Sequence, residues 1–142
     1  GLGQNPFNPV LVGYIFLAQV FPEALAGARL QAHFFTVLLG GLILLWSRLI
    51  HWEIPLLYAA GVFLSSLALG RNGIEAVFSG NILLAAFFMV TDPVTTPLTR
   101  TGERYFAFGS GLATLAAGWA YGILAMNALN PWLDQWFRPR QR

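Results

Sequence analysis

Residues 87–97 read Phe87-Phe88-Met89-Val90-Thr91-Asp92-Pro93-Val94-Thr95-Thr96-Pro97 (FFMVTDPVTTP). An apolar run stops at a carboxylate followed by a proline. Proline offers no N–H to a helix and biases the residue before it away from helical backbone. A helix containing Phe87–Val90 must therefore end here. Asp92 then lies just past a helix C-terminus, against the negative end of its dipole, and needs a donor, a cation or a proton. An acid at the end of a membrane-type segment is a functional candidate by default. The competing reading is a solvated loop Asp that turns the chain with Pro93.

A second breaker motif, Asn5-Pro6-Phe7-Asn8-Pro9, opens the apolar run 9–21. Asn8 suits an N-cap with Pro9 at the first helical position. Asn5 and Asn8 sit where free backbone N–H groups favour an anion or a carbonyl oxygen. The runs 9–21 and 76–90 are both too short to cross a bilayer, which takes roughly 20 apolar residues. Each reads as a half-helix with polar groups at its broken end, and paired broken helices point to a binding site in a membrane protein. The alternative is an ordinary helix end at the lipid–water interface.

The remaining apolar runs cover 34–50, 54–69 and 105–129, the last giving one long helix or a hairpin around Gly118 and Gly122. A tail, 130–142, reads as amphipathic. The 34–50 run is long enough to span a bilayer, and 54–69 is borderline. Composition agrees with a bilayer setting: 56% of the 142 residues are hydrophobic and 10% charged, against about 25% charged in soluble domains. Mean hydropathy is +0.61. The expected fold class is an all-α integral membrane protein of one domain.

Cysteine is absent, which removes disulfides, thiolate metal sites and cysteine nucleophiles. The net charge of +2 comes from arginine, three of them in the tail WFRPRQR. That is too little for nucleic acid, and a membrane-surface anchor accounts for it better, with the tail on the cytoplasmic side. Arg100 and Arg104, in RTGER, compete with the tail for that side. His33 and His51 bracket the 34–50 run; an interfacial role suits them better than haem ligation. Trp46, Trp52, Trp119, Trp132 and Trp136 suit interfacial belts. Thr91, Thr95, Thr96, Thr99 and Thr101 cluster with Asp92 and either line a polar cavity or cap the next helix. Gly40, Gly41, Gly109, Gly111, Gly118 and Gly122 read as close helix packing. No hydrolase, kinase or dinucleotide motif is present.

Two long motifs, GLGQNPFNPVLVGYIFLAQVFP and SGNILLAAFFMVTDPVTTPLTRTGERYFAFG, resemble the RnfD membrane component of Rnf electron-transport complexes and the related NqrB component of the sodium-pumping NADH:quinone oxidoreductase (the RnfD/NqrB family). LLWSRLIHWEIPLLY and ILAMNALNPWLDQWFRPR resemble it in type and order. The resemblance implies a multi-pass subunit of the bacterial inner (cytoplasmic) membrane, with other integral membrane subunits and the lipid bilayer as partners. It implies an inverted-repeat, urea-transporter-like bundle, of which the C-terminal part is represented here. It further implies electron transfer through a flavin, FMN or riboflavin, near the two broken helices, within an oxidoreductase complex rather than by this subunit alone. The candidate cofactor-binding residues are Asn5, Asn8, Thr91, Asp92 and Thr95. An ionised Asp92 could accept the flavin ring N–H while an Asn amide donates to a ring carbonyl. Family members esterify FMN to a threonine in a loop after the first half-helix. Here that loop is PEALAGARLQAH, with no Ser or Thr, so the flavin is expected to be non-covalent. The alternatives are a cofactor-free structural subunit and a small-solute channel.

Overall fold

A computed structural model describes residues 5–27 and 33–137. The C-terminal arginines and part of the loop after the first half-helix lie outside the described residues. Among those described there are helices and connecting turns and no strand. The helices are α1 (Pro9–Val20), α2 (Pro22–Gly27), α3 (Phe34–Trp46), α4 (Glu53–Ala68), α5 (Gly73–Val77), α6 (Gly80–Leu84), α7 (Arg100–Ala117) and α8 (Trp119–Phe137). A π-helical turn, Ala85–Met89, continues α6 and closes with Val90 N–H donating to the Ala85 carbonyl at 2.9 Å.

The chain breaks where its local chemistry directs. The α3 helix stops at Trp46, short of the expected Ile50. Leu49 N–H donates to the Leu44 carbonyl and Arg48 N–H to that of Leu45, the paired bonds of a Schellman cap. Arg48 takes the left-handed position at φ 54°, a site glycine fills more cheaply, at a cost on the order of 1 kcal/mol for arginine. The same cap ends α4, with Gly70 at φ 67°. The expected half-helix over 76–90 is interrupted at Ser79, whose backbone is extended, so α5 stands apart from α6 and the π-turn. Asn72 caps α5, accepting from Ile74 and Glu75 N–H.

The 105–129 run is a hairpin, not one helix. Gly118, at φ 92°, ends α7 and α8 begins at once. The start of α7 therefore lies beside the end of α8, where Leu98 N–H donates to Asp134 Oδ1 at 2.7 Å. RTGER and the segment leading into the C-terminal tail sit at one end of the bundle, which removes the expected competition between them.

The core is built by α4, α7 and α8. Tyr58, Val62, Phe106, Ala107, Ala120 and Ile123 are buried in it. Glycines set the spacing. A Cβ on Gly61 would lie 2.5 Å from the Phe108 carbonyl oxygen, and one on Gly122 would lie 2.8 Å from Thr114 N. One on Gly111 would meet the Tyr58 carbonyl oxygen closer still. Thr114 Oγ1 donates to the Ser110 carbonyl, so the Tyr58 hydroxyl donates to Thr114 Oγ1 at 2.8 Å. A smaller cluster, Val37, Leu83 and Phe87, holds α3 against α6 and the π-turn.

Among the described residues no helix is both long and apolar enough to cross a membrane. The apolar α3 and α4 have 13 and 16 residues. The longer α7 and α8 carry Arg100, Glu103, Arg104, Asn127, Asn130 and Asp134. Large apolar side chains nonetheless crowd the outside, Phe35 being 81%, Leu39 61% and Phe16 60% exposed.

Close packing at Gly111 and open space at Gly13 predict opposite outcomes for the same substitution. Gly111→Ala should destabilise, because backbone cannot yield as a side-chain tip can; overpacking costs roughly 1–3 kcal/mol. Gly13→Ala, inside α1 with nothing within 4 Å of the new Cβ, should be neutral or stabilising by up to about 1 kcal/mol. Thermal unfolding of the two variants in detergent, against the parent, measures the contrast.

Candidate functional site

The two broken helix ends meet. Asn8 precedes α1, and its Oδ1 accepts the N–H groups of Val10 at 2.9 Å and Leu11 at 3.3 Å. Its Nδ2 donates to Asp92 Oδ2 at 3.2 Å, and Thr95 Oγ1 donates to the same oxygen at 2.8 Å. Asp92 Oδ1 accepts Val94 N–H at 3.1 Å, an Asx-turn in which the side chain shapes the loop after the π-turn. The Asp92 carbonyl accepts from Thr96 Oγ1 at 3.0 Å.

A third element closes the circuit. Asn127, on α8 and fully buried, accepts Asn8 N–H on Oδ1 at 3.2 Å. Its Nδ2 donates to the Thr95 carbonyl at 2.9 Å. Asn130 Nδ2 donates to that carbonyl as well. Asn8, Asp92, Thr95 and Asn127 thus form a closed hydrogen-bonded ring joining α1, the loop after the π-turn, and α8. Asn8 and Thr95 are 3% and 1% exposed. Buried polar groups of this kind must be paired, since an unmade bond there costs roughly 1–3 kcal/mol.

On one side of the ring lies a cavity of about 540 Å³. Asn5, Asn8, Thr91 and Asp92 form its polar edge, and Val10, Leu44, Phe87 and Phe88 are among its apolar walls. Glycines make room for the two rings: a Cβ on Gly41 would lie 2.5 Å from Phe87, and one on Gly40 would lie 3.0 Å from Phe88. Thr91 Oγ1 donates back to the Phe87 carbonyl at 2.6 Å. Thr95 does not line the cavity; it is buried behind Asp92 and holds it. His51 lies elsewhere, 3.2 Å from Glu103. His33 precedes α3 without capping it through its side chain. Among the described residues no group of three His, Asp or Glu could hold a metal ion.

Asn127 and Asn130 are the site residues that sequence reasoning misses. Their signal is present in NALNP: two amides three residues apart on one helical face, just before Pro131. Pro131 has no N–H for the Asn127 carbonyl.

A family model described as the NQR2, RnfD, RnfE family matches residues 25–142. A protein of Stutzerimonas stutzeri, named as the D component of an ion-translocating oxidoreductase complex, is 39% identical over 92% of this chain and 41% of its own length. One of the same name from Pseudomonas aeruginosa (strain LESB58) is 29% identical over 99% of this chain and 62% of its own. The D component of the Na(+)-translocating ferredoxin:NAD(+) oxidoreductase complex of Acetobacterium woodii is 34% identical over 73% of this chain and 35% of its own. The chain thus spans between 35% and 62% of these relatives. The Pseudomonas match runs over 215 positions, whereas this chain has 142 residues, so that relative carries extra sequence inside the matched region.

The ring predicts non-additive mutational costs. Asn8→Ala and Asp92→Ala should each destabilise, and the double variant should lose less than the sum. The difference should be on the order of 0.5–3 kcal/mol, as for groups in one network. A double-mutant cycle by thermal or denaturant unfolding reads it. Strict additivity would mean that the two side chains do not meet.

Proposed function

This chain belongs to the NQR2, RnfD, RnfE family, and on that premise we propose that it is a membrane subunit of an ion-translocating oxidoreductase complex that holds a flavin non-covalently beside Asp92. The names of the relatives support the complex. The many large apolar side chains on its outside support a membrane location, of the bacterial inner membrane, and partner subunits that cover part of that surface. The chain forms part of an inverted-repeat bundle in this reading, with α1 and the α6–π segment as its half-helices.

The observation that carries the flavin reading is the cavity beside the ring. Its volume of about 540 Å³ falls within the roughly 300–1,000 Å³ usual for cofactor sites, and its lining is apolar with polar groups gathered at one edge. A carboxylate offers about four acceptor positions; Asn8, Thr95 and Val94 take three on Asp92. Among the described residues one acceptor position remains, on Asp92 Oδ1, and the Asn8 amide bonded to Oδ2 carries a second N–H. An acceptor beside a donor is the complement of the donor–acceptor edge of an isoalloxazine. Phe87, Phe88 and Leu44 offer apolar surface to its faces, and Thr95 and Asn127 fix the orientation of Asp92 and the loop that bears it. The flavin, FMN or riboflavin, supplies reversible electron uptake when bound; the chain supplies placement and a water-poor wall. The shortened loop PEALAGARLQAH and the extra sequence in the Pseudomonas relative favour a non-covalent site.

A second reading, a cofactor-free structural subunit, is favoured by one fact: the ring closes on itself, satisfying Asp92 without a ligand. One experiment separates the two. When the purified complex is denatured in acid, the flavin reading expects yellow fluorescence from this subunit's site in the supernatant and a dark band on the gel. Asp92→Ala should weaken retention about tenfold to hundredfold, from a lost buried hydrogen bond of roughly 1–3 kcal/mol. A fluorescent band would mean covalent attachment, and no flavin in either fraction would establish the structural reading.

Orientation follows from the hairpin. Arg48, Arg100 and Arg104 gather at the end of the bundle from which the chain runs on to Arg138, Arg140 and Arg142. Short, arginine-rich connections stay cytoplasmic, so that end should face the cytoplasm. Reporter fusions at the C-terminus and in the Gly118 turn should report opposite sides, with the C-terminus inside.

A further inference from the structure

We propose that the arginine-bearing end of the bundle binds the phosphate of an anionic membrane lipid, of the phosphatidylglycerol type, in the cavity between the α3–α4 turn and the start of α7. The proposal rests on the membrane reading above and is independent of the flavin.

The cavity, about 540 Å³, is lined by Arg48, His51, Trp52, Glu53 and Arg100, with Leu45 and Ile50. Its acids are already engaged. Glu53 accepts from Arg104 and lies 3.7 Å from Arg100. The Arg104 hydrogen bond, first, and the charges of Arg104, Arg100 and His51 hold its carboxyl below the ordinary carboxylate value. Glu103 lies 3.2 Å from His51. Among the described residues Arg48 has no ion pair. In the cavity wall Arg48 and Arg100 face one glutamate, Glu53, which Arg104 already holds from outside the wall, and α4 and α7 both begin here, turning their positive dipole ends the same way. An anion is the missing partner, and guanidinium groups suit phosphate because they can donate two parallel N–H bonds to it.

The rim decides which phosphate. Trp52 lines the cavity and is 65% exposed, and the chain just before it carries Trp46, 91% exposed, and Leu49, 73% exposed. Tryptophan at such a rim fits the headgroup level of a bilayer, and the exposed Leu49 of the same α3–α4 turn needs hydrocarbon rather than water. A free phosphate would meet the arginines and leave this apolar rim bare; a phospholipid meets both.

Arg48 adds an independent argument. It occupies the left-handed residue of a Schellman cap, at φ 54°, where the equivalent cap of α4 carries Gly70 at φ 67°. The backbone there favours glycine, so the arginine side chain must be held for something other than the turn. This also supplies a clean variant: Arg48→Gly removes the guanidinium and suits the turn better.

The test uses the purified complex in neutral detergent, titrated separately with phosphatidylglycerol, phosphatidylcholine and inorganic phosphate, and read by thermal unfolding. Phosphatidylglycerol should raise Tm well above the other two. In Arg48→Gly, and more so in Arg48→Gly with Arg100→Gln, the apparent affinity for phosphatidylglycerol should fall about tenfold or more. Arg48→Gly without lipid should unfold no lower than the parent. Equal effects of the two lipids, an unchanged affinity in the double variant, or equal protection by inorganic phosphate would each overturn the proposal. Retention of the protein in alkali-washed membranes tests the membrane reading separately: a protein that stays there but shows no lipid preference fails the proposal alone.

Discussion

Everything at the centre of this bundle depends on closing the ends of two helices that stop inside it. The N–H groups that open α1 and the loop that follows the π-turn are held away from bulk water by the packing of α8. In apolar surroundings such groups need partners from the chain itself. Four residues provide them as a circuit: Asn8 caps α1 and donates to Asp92, Thr95 donates to Asp92, and Asn127 bridges Asn8 to Thr95. Removing one member strands a donor or acceptor on each of its neighbours. The ring therefore fixes the mutual position of α1, the 92–96 loop and α8 more tightly than apolar contacts alone could.

The ring also determines the shape of the cavity beside it. The residues before Asp92 finish as a π-turn, and Asp92 then turns the chain through Val94 N–H. A π-turn shifts side-chain register by one residue and recurs at functional sites. Here Phe87 and Phe88 both reach α3, where Gly40 and Gly41 leave space for them. The fold thus converges on a single carboxylate, which commits three acceptor positions to donors among the described residues.

Local breakers are legible in the sequence because their chemistry is local. Asn8 before Pro9 reads as a cap, Thr-Asp-Pro as a stop, and Gly-Arg-Asn-Gly as the end of α4. What the sequence hides is set by contacts distant along the chain. Asn127 looks like an ordinary polar residue in an apolar run until α1 is seen beside it, 119 residues away in sequence. The α7–α8 break stays open between one helix and two in the sequence, because glycine serves close packing and chain reversal equally well. Gly118 turns the chain, whereas Gly122 packs against Thr114. The early end of α3 is hidden for a related reason: its cap uses arginine where the usual signal is glycine.

The depth of the ring links the two ends of the molecule. The 19 residues of α8 rise about 28 Å at 1.5 Å each. Asn127 lies near the middle of that helix. Gln19 Nε2 donates to Tyr121 Oη at 2.6 Å, which places the far end of α1 beside the start of α8. The half-helix α1 thus covers the part of α8 near the Gly118 turn and stops at the ring, leaving the other half to α7 and the 92–99 loop. The polar ring is thereby held about as far from one end of the bundle as from the other. Asp92 accepts there from three donors of the chain's own, Asn8 Nδ2, Thr95 Oγ1 and Val94 N–H, so one carboxylate ties the mouth of α1 to the loop after the π-turn.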